Sequence, residues 1–147
     1  MGTKTLIGAV PLLLIALACD VSGPASSLSH AAAMLQCGPG DGPVTVIVLA
    51  HDSVVFAHPS YPLVSVAISA QVSALAGRRW DIPSDTGVVA WYVTGAGKAQ
   101  PAISGRVTVT RVDSTKRVDS TVELQFPSRI VATAFSAPWI DSGVTCG

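Results

Sequence analysis

Between Leu63 and Val72 the chain alternates with a period of two. Val64, Val66, Ile68, Ala70 and Val72 fall on one side of an extended backbone, and Ser65, Ala67, Ser69 and Gln71 on the other. Successive side chains of a β-strand point to opposite faces, so this pattern belongs to a strand with one buried face. From residue 44 onward the rest of the chain agrees with it. Val44–Ala50 (VTVIVLA) is a nearly continuous apolar run suited to a buried strand, and Ser53–Ala57 (SVVFA) is a shorter one after a turn at His51-Asp52. Val88–Thr94 places Trp91 and Tyr92 on opposite faces. Arg106–Val112, Arg117–Phe126 and Arg129–Phe135 read as a meander, with turns at 113–116 and 127–128. Residues 77–86 and 95–101 read as loops. About seven short strands with regular turns predict an all-β domain. An antiparallel β-sandwich is expected first, with a small β-barrel as the alternative.

Composition narrows the function classes. Apolar residues make up 49% of the 147 and charged residues 12%, which excludes a disordered polar chain. Nine Lys and Arg balance nine Asp and Glu. No basic stripe is available to neutralise phosphates, so nucleic acid is not an expected partner. No polybasic segment is available for anionic lipid heads either.

The N-terminus has a separate logic. Lys4 is followed by LIGAVPLLLIALA from Leu6 to Ala18. A charged start and a short apolar run are the layout of a secretory signal. Thirteen residues span about 20 Å as a helix, too short for a hydrocarbon core of about 30 Å. The run ends IALAC at residues 15–19, with Ala18 directly before Cys19. This ending resembles the lipobox of bacterial lipoproteins. The resemblance covers the first 20 residues and implies removal of residues 1–18, diacylglyceryl transfer to the Cys19 thiol, and attachment to a membrane through that lipid. It also implies a place in the bacterial cell envelope, on the periplasmic or cell-surface side. Residues 19–43 then read as a tether rich in small and polar residues, with a turn or two of helix over Ser29–Gln36. The folded domain is expected over 44–147.

The two other cysteines, Cys37 and Cys146, bracket the predicted domain. A secreted compartment permits disulfides, and a Cys37–Cys146 bridge is expected.

Candidate chemistry is sparse. His51-Asp52-Ser53 holds the residue types of a hydrolase triad, but neighbours on a strand face opposite ways and no G-x-S-x-G elbow is present. His30, His51 and His58 lack zinc-motif spacing, and Asp113, Asp119 and Asp141 lack that of a calcium loop. Thr94–Lys98 departs from the phosphate-binding loop at its first glycine and after its lysine. No catalytic residue, metal ligand or cofactor is therefore assigned, and an enzyme is not expected. Arg78-Arg79-Trp80 joins two cations to an aromatic ring, and Arg78 and Trp80 are the candidate ligand-binding pair. Trp91 and Trp139 are expected as core anchors.

Two further resemblances concern the domain. GVVAWYVTGAG and ISGRVTVT are similar to stretches of bacterial immunoglobulin-like adhesion domains, and GRVTV with VELQFPSRIVATAFSAPW is similar to the closing hairpins of small envelope lipoproteins. They imply an anchored binding or structural module with an envelope protein or polymer as partner, and they transfer no functional residue. A carrier with a ligand inside a small barrel is the alternative.

Overall fold

The β-rich reading resolves into nine strands in a computed structural model, which describes residues 28–146. The signal segment and Cys19 lie outside the described residues. The strands are β1 (His30–Cys37), β2 (Pro43–Ala50), β3 (Leu63–Ile68), β4 (Arg79–Ile82), β5 (Val88–Gly95), β6 (Lys98–Pro101), β7 (Ser104–Val112), β8 (Val118–Phe126) and β9 (Arg129–Ala137). Five of them form sheet A in the order β1-β2-β3-β5-β6, and four form sheet B in the order β4-β7-β8-β9. Every pairing within the sheets is antiparallel. The sheets do not close on one another, so the fold is a sandwich and the barrel alternative falls.

Strand alternation builds the core. Ile47 and Leu49 from β2, Val64, Val66 and Ile68 from β3, and Tyr92 from β5 meet Val107, Val109, Val122, Leu124 and Phe126 from sheet B. Burying a large aliphatic or aromatic side chain is worth about 1.5–3 kcal/mol, so this layer carries most of the fold's stability. Tyr92 and Phe126 pack with ring centroids 5.8 Å apart across the two sheets. The meander closes as expected. Asp113 caps the β7–β8 turn, accepting the Thr115 and Arg117 backbone N–H groups at 2.8 and 3.0 Å. At Gly105 (φ 145°) an added Cβ would sit 2.8 Å from the Leu124 Cα and collide with the Glu123 carbonyl oxygen. Only glycine lets β7 and β8 approach there.

Several expectations are corrected. The tether and helical turns assigned up to residue 43 give way to β1, so the domain already includes His30–Cys37. Its alanines favour a helix in isolation. Here β2, apolar on both faces, offers a full ladder from His30↔Ala50 to Cys37↔Pro43, and pairing overrides local propensity. Residues 53–57 form no strand, because Val54 and Phe56 fold back over the outside of sheet A. The loops at 77–86 and 95–101 contain β4 and β6, short strands that extend sheet edges opposite β7 and β5. Nine strands therefore replace about seven.

The C-terminal tail seals the β1 edge. The Ala33 N–H donates to the Pro138 carbonyl at 2.9 Å, and the Ile140 N–H donates to the Ala33 carbonyl at 2.8 Å. The Ser142 hydroxyl donates to the Leu35 carbonyl at 2.9 Å. The Cys37–Cys146 disulfide fastens the end of this tail, with 5.5 Å between the two Cα atoms. Covering an edge in this way removes a template for unwanted strand pairing.

Candidate functional site

The two outer faces of the sandwich differ in kind. On sheet B, Asp81 accepts from Arg79 Nη2 at 2.7 Å and Arg106 Nε at 2.9 Å, and Asp119 accepts from Arg111 Nε at 2.8 Å. The arginines beside Asp81 hold its carboxyl below the usual carboxylate range. The Ser136 hydroxyl, then Arg111, does the same for Asp119. This is an ordinary solvated sheet face, alternating with the core face along each strand.

Sheet A breaks that rule. The continuous apolar run of β2 puts Ile47 and Leu49 into the core, and Val46, Val48 and Ala50 onto the outside. Across the ladder, Val48 pairs with Ser65, which pairs with Trp91, while Val46 pairs with Ala67, which pairs with Val89. The twelve residues between β2 and β3 lay Val54 and Phe56 over this surface, where they pack with Val46, Val48, Ala50 and Leu63. The result is a groove of about 550 Å³, open along one side. Its floor is the sheet and its wall is the segment carrying Val54, Phe56 and Pro59. Among the described residues that line it, none is Asp, Glu, Lys, Arg or His. The polar side chains it does contain are unevenly placed. Gln36, Ser69 and Thr86 lie near the start of β2, whereas Ser65 lies opposite Val48 toward its end, with Val54, Phe56 and Leu63. Val55 and Val89, both of which line it, remain 49% and 44% exposed, so apolar surface is accessible in the groove.

Such a site selects by exclusion. It offers no countercharge for an ion and few hydrogen-bonding groups for a sugar. Its volume lies within the range of small-molecule sites, about 300–1,000 Å³.

The residues singled out from sequence fall elsewhere. Trp80 points inward from β4 and is only 6% exposed. The Arg78 guanidinium lies 5.1 Å from the centre of that ring and covers it from outside. The pair is thus a capped core position, because the ring that would face a ligand is spent in the core. Trp139 is partly buried against the core, with the Lys116 ammonium 5.4 Å from its ring centre. Trp91 is no core anchor: it faces outward on β5 and lines the groove. His51, Asp52 and Ser53 occupy the bend leaving β2, and Thr94–Lys98 is the β5–β6 hairpin. Asp113, Asp119 and Asp141 each serve local hydrogen bonds, Asp141 accepting the Gly143 N–H at 3.0 Å. Among the described residues, no three His, Cys, Asp or Glu side chains come together as metal ligands.

Residue-by-residue search for chemistry passes over the groove because its residues carry none. The available signal was different: VIVLA in β2 and VVAWYV in β5 are apolar at consecutive positions, where β7 and β8 alternate. In an antiparallel sheet that pattern means that both faces are covered or meant to be. Comparison of the chain with protein-family profiles, curated proteins and solved structures gives no match.

Proposed function

We propose that the protein is an envelope lipoprotein, anchored through lipid on Cys19, that works as a binding module through the groove on the outside of sheet A. The single observation carrying this reading is that groove: a concave surface without a charged residue on one face of the sandwich, opposite a face laced with ion pairs. A sandwich needs one buried face per sheet, so a second apolar face answers to something other than the core. A binding role rather than a catalytic one fits this lining, which holds no acid, base or nucleophile except the Ser and Thr hydroxyls. The lipobox at residues 15–19 supports the anchor.

Two measurements test the reading. Intact mass of protein extracted from membranes should show acyl mass at Cys19 and loss of residues 1–18; an unmodified Cys19 refutes the anchor. For the groove, the neutral dye Nile red should bind the full chain. Ala67→Phe, which fills the floor, should weaken binding about tenfold, equivalent to about 1.4 kcal/mol. Ala132→Phe, on the exposed face of β9, should leave it unchanged. Equal binding by both variants removes the groove as the binding surface.

A further inference from the structure

We infer that the occupant of the groove is a single acyl chain of a membrane lipid, taken up with its hydrocarbon end beneath Phe56 and its polar end toward Gln36, Ser69 and Thr86. This rests on the reading of the groove as a binding surface and goes beyond it in naming the ligand class. Three features point to it.

The first is length. The groove follows β2 from Val44 to the level of Leu63, which pairs with Ala50. Six residues of antiparallel strand rise about 20 Å. Half of a hydrocarbon core of about 30 Å, the depth of one leaflet's chains, is about 15 Å. One chain fits the floor lengthwise.

The second is polarity. A compact apolar ligand needs a pocket that is apolar all round, whereas this groove grades from one end to the other. Val54, Phe56 and Leu63 make the more apolar end, Ser65 stands on the floor opposite Val48, and the hydroxyl and amide groups of Ser69, Thr86 and Gln36 gather at the other end among Val44 and Val89. That gradient matches an amphiphile lying along the strand.

The third is the direction of the tether. β1 begins at His30 beside Ala50, and the Ser29 hydroxyl donates to the His51 carbonyl at 3.0 Å. The chain therefore leaves the domain at the hydrocarbon end of the groove. Eight residues lie between Cys19 and Leu28, and the nine steps reach at most about 32 Å. The anchor thus attaches on the Phe56 side, and with that end turned to the bilayer the groove lies along the membrane normal. A lipid has its head outward and its tail inward, so it passes along its own axis into the groove without turning over.

The test uses the full-length protein, titrated with vesicles of phosphatidylcholine whose acyl chains carry bromine, a contact quencher of tryptophan. Wild-type emission should fall because Trp91 lines the groove. The fall should be lost in Trp91→Phe, which keeps an aromatic ring on the floor, and in Ala67→Phe, which blocks it. Quenching that persists in Trp91→Phe places the chain elsewhere and overturns the inference, as does its absence from the wild type. Nile red separates the two levels. If the dye binds in an Ala67-dependent way while brominated chains do not quench, the groove is a binding surface for something other than an acyl chain. If the dye ignores Ala67→Phe, the groove itself is refuted.

Discussion

Replacing both Cys37 and Cys146 by serine removes a cross-link between positions 109 residues apart. In the chain-entropy treatment, closing a loop of that length lowers the entropy of the unfolded chain by about 16 cal/mol/K, or about 4.8 kcal/mol at 25 °C. That is a large fraction of the roughly 5–15 kcal/mol by which domains are stable. The folded state should change far less. The tail remains joined to β1 through Ala33–Pro138, Ile140–Ala33 and Ser142–Leu35 hydrogen bonds. The expected result is a loss of about 2–5 kcal/mol in urea unfolding, with near-UV dichroism preserved. The slope of free energy against urea should rise as well, because the uncross-linked unfolded chain exposes more surface. Reducing the wild-type protein should give the same stability as the double variant. A loss below about 1 kcal/mol would refute the reasoning, by showing that the unfolded chain is already restricted or that the tail's other contacts do the same work.

Two further perturbations read separate parts of the structure. The Ser120 hydroxyl is buried on the core face of β8 without a hydrogen-bond partner among the described residues, opposite Val109 and Phe135. Ser120→Ala should raise stability by about 1 kcal/mol, since it removes an unsatisfied group at small cost in volume; an equal loss in urea unfolding would contradict this. Asp81, Asp113 and Asp119 are all held below the ordinary aspartate value of 3.8, respectively by Arg79 and Arg106, by the Thr115 hydroxyl and Arg117 N–H, and by the Ser136 hydroxyl and Arg111. Their contribution to stability is then fully present above the unfolded value and is lost only as pH falls below it, through the folded values. Carboxyl carbon NMR should show all three titrating below 3.8, and a titration of Asp113 at or above that value would contradict the turn geometry.

How much of this was legible in the sequence depends on whether a residue's role is local. Alternation placed Val64, Val66 and Ile68 on the core face, set Trp91 against Tyr92, and located the turns at 113–116 and 127–128. Each of those signals lies within a few residues. The disulfide was expected from the secretory reading of the N-terminus and from the position of Cys37 and Cys146 at the domain ends. What was missed depends on partners distant in sequence. The alanines of β1 read as helix or tether because their pairing with β2 is invisible locally. β4 has four residues and acquires strand identity only from the ladder to β7. Arg78 and Trp80 read as a candidate binding pair because cations adjoin the ring on a stretch without a strand signal, yet alternation along the short β4 turns Trp80 inward beneath Arg78.

The candidate site inverts the usual relation between chemistry and legibility. Sites built from histidines or carboxylates announce themselves by residue type, whereas this groove consists of residues that would also suit a core. Its identity comes from an imbalance between faces and from one connection. The segment from residue 51 to 62 is long for an antiparallel link, where two to five residues suffice. If sheet A required only cover, that segment would have lain across the whole outer face, or polar residues would have replaced Val46, Val48 and Val89. Instead Val54 and Phe56 cover one part, and Val89 and Trp91 stay accessible beside it. Partial cover prevents a flat apolar sheet from pairing face to face with its neighbours, yet leaves a groove of about 550 Å³ between the segment and the sheet. If the groove takes a linear chain, as inferred above, the wall formed by Phe56, rather than the floor alone, sets what the sandwich can hold, because the bare sheet would meet any flat partner equally well.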